Sequence, residues 1–127
     1  MHIGDLGKTC ADGETIIREG EQADGMFVVQ AGQVEVLVEQ PNGDIRLAVL
    51  GEGDVFGEMA LFSKAPRSAT VRALGEARVL KINKESFLKR VHEDPSLAFR
   101  ILQKMAERIR ELDAEIVRLT AEAMEEP

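Results

Sequence analysis

Several residue types and patterns are scarce in this chain of 127 residues, and each scarcity removes a class of function. The one cysteine, Cys10, excludes an internal disulfide and fits a reducing compartment. No histidine lies near it in sequence, so Cys10 reads as a small apolar residue near the first turn rather than a nucleophile. Histidine occurs only as His2 and His92, at opposite ends of the chain, too few and too far apart for a metal centre. No Ser, Cys or Lys stands in a recognisable nucleophile motif, so no catalytic residue, no metal and no cofactor is assigned and the chain is not read as an enzyme. There is no apolar run long enough to cross a bilayer and no signal-type apolar segment at the amino end, so membrane insertion is not expected and a cytoplasmic location is. Basic residues number 16 against 23 acidic ones, a formal charge of −7, so direct nucleic-acid binding by a broad basic surface is not expected. The last residues, Met124 to Pro127, are an acidic tail and not a helix-turn-helix.

What is present is a globular composition, 44% hydrophobic and 31% charged, of a length suited to one domain. Residues 1–9 carry no periodic pattern and read as a lead-in. A turn at Ala11 to Glu14 precedes a short strand from Thr15 to Arg18, and Gly20 and Gly25 break the chain again. Met26 to Gln30 is a strand-length apolar run, Gly32 separates it from a second run over Gln33 to Glu39, and Asn42-Gly43 marks a hairpin returning along Ile45 to Leu50. Gly51 to Asp54 turns into Val55-Phe56. Further strands are expected over Ala69 to Leu74 and Ala77 to Asn83, joined at Gly75-Glu76. Short strands at this spacing with glycine turns predict a β-sandwich or a jelly roll.

Helical periodicity then takes over. Asn83 is a candidate cap for a short helix, Lys84 to His92, with Phe87, Leu88 and Val91 inward. Asp94-Pro95 suits the start of a long amphipathic helix, Asp as cap and Pro in the first turn. Along it Leu102, Met105, Ile109, Leu112, Ile116, Leu119 and Ala123 alternate at spacings of three and four, an a/d seam. A parallel homodimer is the preferred reading, with Arg108 at a g position facing Asp113 at the partner's e position. A stripe that covers the β fold in a monomer is the alternative.

The most informative stretch is Phe56 to Arg72. Gly57 permits close backbone approach to a ligand, and the amides of Glu58 to Leu61 begin a short helix that attracts an anion. Arg67 brings a guanidinium and Ser68 a hydroxyl to the same place. Glu58 is out of place beside an anion unless it accepts hydrogen bonds from another part of the ligand. Sugar hydroxyls would suit it, which calls for a phosphate and a ribose side by side.

This stretch resembles the phosphate-binding cassette of cyclic nucleotide-binding domains, such as those of the catabolite activator protein and protein kinase A regulatory subunits. The resemblance runs from about Thr15 into the last helix. It implies a mainly β fold with C-terminal helices: an eight-stranded β-roll over residues 1–94, with the cassette at 56–72, then a capping and dimerisation helix over 95–127. It further implies phosphate and ribose contacts at Gly57, Glu58, Met59, Ala60, Arg67, Ser68 and Ala69, with Glu58 on the ribose 2′-hydroxyl and Arg67 on the cyclic phosphate. Val36 and Leu47 are expected to face the base, with Arg108, Leu112 and Asp113 supplying contacts from the last helix. Leu112 and Asp113 stand where the catabolite activator has hydroxyl residues, and Arg108 has a further candidate partner in Glu58. The implied function is a regulatory sensor for cAMP, with cGMP as second choice, relayed through the last helix to an effector domain or to a protein in trans. The competing reading is a vestigial fold of this type used only for dimerisation. Cupin-type enzymes share the roll, but the two histidines cannot build their metal site.

Overall fold

The computed structural model describes residues 7–125, so His2, most of the expected lead-in, and Glu126 and Pro127 of the acidic tail lie outside the described residues. The elements in chain order are β1 (Lys8–Cys10), β2 (Thr15–Ile17), β3 (Met26–Val38), β4 (Ile45–Leu50), β5 (Val55–Phe56), a 3₁₀ turn (Glu58–Leu61), β6 (Thr70–Ile82), α1 (Lys84–Glu93) and α2 (Ser96–Glu125). The contacts divide the chain into two compact units between Lys89 and Arg90.

The first unit is a β-roll built on two long strands. β3 and β6 pair antiparallel from Met26↔Ile82 to Leu37↔Thr70. The sheet runs β1-β6-β3-β4, with β2 also on β6 and β5 also on β3. Inward residues of β3 and β6, among them Val29, Val34, Val36, Val71, Ala73 and Val79, form one buried cluster with Cys10 and Phe56. Each such valine contributes on the order of 1.5–3 kcal/mol by leaving water. Phe27 stacks on Phe56 with centroids 5.1 Å apart, which anchors the entry to the cassette against β3.

Two strand expectations are corrected. There are six strands among the described residues, not eight, because β3 and β6 each continue through a glycine at which the sequence reads a break. Gly32 and Gly75 have φ of 77° and 75°, and the β3–β6 register shifts on either side of Ala31, so the chain bulges and then resumes pairing with the same partner. A Cβ on Gly32 would lie 2.3 Å from the Glu76 carbonyl oxygen, so only glycine fits there. Its role is this close approach rather than a turn. The second correction is β1: Lys8, Thr9 and Cys10 pair with Val79, Arg78 and Ala77, although a three-residue strand with one buried side chain leaves no periodic signal. Cys10 is core, and burial, with Glu14 beside it, pushes its thiol pKa up, away from nucleophile behaviour.

The hairpin between β3 and β4 closes where Asn42-Gly43 predicts, with the Gly43 amide on the Gln40 carbonyl at 3.0 Å. Arg72 of β6 holds its turn through Asp44 at 3.1 Å. Both helix starts are capped as read. The Ser86 amide donates to Asn83 Oδ1 at 2.8 Å, and the Ser96 amide to Asp94 Oδ1 at 3.2 Å. On α1, Phe87 and Val91 are half-buried but Leu88 is exposed: periodicity locates an apolar stripe without saying how much of it is covered.

In the second unit α2 is a single helix of 30 residues. Its seam residues Leu102, Ile109, Leu112, Ile116 and Leu119 are exposed on the single chain, and Met105 is half-buried. Arg118 bridges Glu115 and Glu122 along one side of the helix. No helix among the described residues is long and apolar enough to cross a membrane.

Candidate functional site

The cassette is assembled by contacts that span 42 to 51 positions of the chain. β5 ends at Phe56, and Gly57 then takes φ 73° and ψ 17° to start the 3₁₀ turn. The turn uses the Ala60 amide on the Gly57 carbonyl at 3.2 Å, so Ala60 is engaged within the turn itself. Leu61 is the buried residue of the turn, whereas Met59 and Phe62 are 63% and 76% exposed. The chain returns along Pro66 and Arg67 by pairing with an earlier loop: the Arg67 amide donates to the Glu21 carbonyl and the Gly20 amide to the Arg67 carbonyl, both at 2.8 Å.

Arg67 is the centre of the arrangement. Its side chain is only 5% exposed, an unusual burial for a permanent cation. Nη2 donates to the Gly25 carbonyl at 2.7 Å and Nη1 to the Gly57 carbonyl at 3.2 Å. The guanidinium carbon lies 5.9 Å from the centroid of the Phe27 ring, and Asp24 Oδ1 is 3.6 Å from Nη2. Two carbonyl dipoles, one aromatic face and one carboxylate therefore compensate the charge and fix the plane of the fork. With five N–H donors on a guanidinium, the others remain for an anion.

Gly57 is also constrained by the Arg67 side chain. A Cβ there would stand 2.7 Å from Arg67 Nη1. The missing side chain makes room for the guanidinium, in addition to allowing the positive φ.

Around Arg67 stand groups with nothing to satisfy them within the roll. No described residue of the first unit pairs with the Glu58 carboxylate or the Ser68 hydroxyl, and the Ser68 and Ala69 amides donate to no backbone carbonyl there. The next residue, Thr70, is fully buried and accepts the Glu19 amide at 3.0 Å, which ends the cassette firmly on β6.

The structure thus brings Gly57 against the Arg67 side chain, with Glu58 and Ala60 following Gly57 in the turn, Ser68 and Ala69 following Arg67 in the chain, and the Met59 side chain exposed. It does not put Val36 and Leu47 on one face. Val36 is buried opposite Ala48, whereas Leu47 has no ladder partner, because the register slips from Val36↔Ala48 to Leu37↔Arg46. Leu47 is exposed, as Ile45 and Val49 of β4 are. Arg108, Leu112 and Asp113 lie on α2 in the second unit, Arg108 half-buried and the other two exposed.

Sequence reasoning missed Asp24, Gly25 and Phe27, which had read only as a turn and the start of a strand. The contact from Gly25 to Arg67 spans 42 positions, and no local pattern announces it.

A family model for the cyclic nucleotide-binding domain matches residues 8–94. Among known proteins, the type II regulatory subunit of cAMP-dependent protein kinase from Drosophila melanogaster is 39% identical over 77 residues, 59% of this chain and 20% of the subunit. The chain therefore spans about a fifth of that relative's length. The catabolite activator protein of Thermus thermophilus superposes with a TM-score of 0.71 at 27% identity, over 93% of this chain and 57% of that one. The EAL enzyme Bd1971 superposes in its cAMP-bound and cGMP-bound forms, each with a TM-score of 0.61 over 93% of this chain and 32% of that one, at 27% and 30% identity.

Gly57→Ala is expected to lower stability in urea unfolding by about 1–2 kcal/mol, the cost of forcing an L-residue into left-handed backbone, with the displaced guanidinium adding to it. A variant as stable as the wild type would show that neither the backbone conformation nor the contact with Arg67 constrains this position.

Proposed function

Because the chain belongs to the cyclic nucleotide-binding domain family, we infer that its roll binds a cyclic nucleotide, cAMP in preference to cGMP, and that it acts as a non-catalytic regulatory sensor. The observation that carries this reading is the buried guanidinium of Arg67, fixed by two backbone carbonyls beside unspent donors and an unpaired carboxylate. The cyclic phosphate sits on the remaining N–H groups of Arg67 with the Ser68 hydroxyl and the Ser68 and Ala69 amides. The bonds from the guanidinium are charge-assisted, and so stronger than those between neutral groups. Glu58 accepts from the ribose hydroxyl, and the backbone of Gly57, Met59 and Ala60 lies along the sugar. The preference for cAMP rests on Ser68, since serine at this point of the cassette resembles the cAMP-binding bacterial members of the family, whereas threonine tends to accompany cGMP.

α2 carries the output in this reading. Its a positions hold Leu102, Ile109 and Ile116 and its d positions Met105, Leu112 and Leu119, and β-branched residues at a with leucine at d favour a parallel two-stranded coil. A homodimer through this seam buries apolar side chains that the single chain leaves exposed. Ligand binding acts by contacts made in one state of the helix and not the other, biasing an equilibrium that an effector, fused or in trans, reads out. The module works in the cytoplasm, where cyclic nucleotides are made and degraded.

Thermal melting with no ligand, with cAMP and with cGMP, each near ~1 mM, tests the ligand. At about 100 times its dissociation constant a ligand adds ~2.7 kcal/mol, several degrees at this size. A larger shift with cAMP supports the reading, a larger one with cGMP reverses the order of preference, and no shift with a folded, nucleotide-free protein leaves only a dimerisation module. The seam is tested separately by Leu112→Gln with Ile116→Gln, which should elute as a monomer where the wild type elutes as a dimer. Identical elution of the two proteins would remove the seam from the assembly.

A further inference from the structure

Beside Arg67 lies a cavity of about 240 Å³ lined by Glu21, Gln22, Asp24, Phe27 and Lys81 among others. Four charged residues line it, Glu21, Asp24, Arg67 and Lys81, and the Asp24 carboxylate stands between the two cations. Asp24 Oδ2 is 2.8 Å from Lys81 Nζ, and Asp24 Oδ1 is 3.6 Å from Arg67 Nη2. Lys81 comes from β6, where the ladder sets it opposite Phe27, the residue under the guanidinium. Asp24 comes from the loop before β3, next to Gly25, whose carbonyl accepts from the same Nη2.

An anion arriving at Arg67 meets a cation that a carboxylate already shares. Phosphate and carboxylate on one guanidinium repel each other, so the site's affinity depends on where Asp24 goes. Its nearer partner is Lys81, and the hydrogen bond from Lys81 is the foremost reason that the Asp24 carboxyl titrates below the ordinary carboxylate range, with Arg67 a smaller cause. Asp24 can therefore stay charged and compensated while Arg67 turns its donors to a ligand.

Resting on the cyclic-nucleotide reading above, we propose that Lys81 is a positioning residue that sets the phosphate affinity of Arg67 by holding Asp24 on its own side of the cavity. Without Lys81, Asp24 has only Arg67 to pair with, closes the 3.6 Å gap, and competes with the ligand. Lys81 lines the same cavity as Arg67, and its ion-pair partner there is Asp24, through which its effect on Arg67 passes in this proposal.

The test is calorimetric titration of cAMP into the wild type, Lys81→Met, Lys81→Arg, and Lys81→Met combined with Asp24→Asn against Asp24→Asn alone. Lys81 and Asp24 side chains are 48% and 65% exposed, so these variants should fold, as their melting temperatures will report. Lys81→Met should weaken cAMP binding by roughly two- to fivefold, the scale of one exposed ion pair, and Lys81→Arg should restore it. In the Asp24→Asn background the same change should have no further effect. Unchanged binding by Lys81→Met, or an equal loss with and without Asp24, overturns the proposal, the latter by showing that Lys81 acts on the ligand's charge directly. A wild type that binds neither cAMP nor cGMP overturns the functional reading and this proposal with it, whereas normal wild-type binding with a silent Lys81→Met overturns this proposal alone.

Discussion

A guanidinium cannot be placed in the interior of a small β-roll unless something replaces the water it gives up, and the cassette is arranged around that requirement. Arg67 is compensated by the Gly25 and Gly57 carbonyls, the Phe27 ring and Asp24. The partners come from two separated parts of the chain, the entry to β3 and the turn after β5. Gly25 and Asp24 belong to the loop before β3, Phe27 to β3 itself, and Gly57 to the turn after β5. Phe27 stacks in turn on Phe56, so the ring beneath the cation also fixes the residue before the turn. Burying an uncompensated charge would cost several kcal/mol, so these elements have to be in register before Arg67 can occupy its place.

That arrangement connects stability to function. In the proposed reading Arg67 is held by these partners before a ligand arrives, so that little side-chain entropy would be lost on binding. Glu58, Ser68 and Ala69 flank it on backbone that is tied down at both ends, by the Gly57 turn and by Thr70. Preorganised donors around a fixed cation are what recognition of a compact anion requires. The acidic character of the whole chain does not oppose this, since charges beyond ~8 Å are largely screened at physiological salt.

How much of this was legible in the sequence depended on range. The cassette's chemistry occupies consecutive residues, so Gly57, Glu58, Arg67 and Ser68 could be read together and assigned to one anionic, hydroxyl-bearing ligand. The Asn42-Gly43 hairpin and the Asn83 and Asp94 caps were equally local, and each makes the contact its residue type predicts. Bulges were not legible. Gly32 and Gly75 look like the ends of strands, yet positive φ inside a ladder bends a strand without ending it. Leu47 follows the same limit: the register slips between Val36↔Ala48 and Leu37↔Arg46 and leaves it without a ladder partner, which no local pattern shows. The compensation of Arg67 was hidden for a third reason: Asp24-Gly25 is an ordinary turn signal, and its second role exists only once the fold has brought it to a residue 42 positions away.

The central claim is that the buried guanidinium of Arg67 is the phosphate-binding group. It is tested most directly by calorimetric titration of cAMP into the wild type and into Arg67→Ala, with circular dichroism confirming that the variant keeps its β structure. The account predicts a loss of about 2–5 kcal/mol of binding free energy, because a buried phosphate would be left without its charge partner. A folded variant that binds cAMP as tightly as the wild type would contradict it.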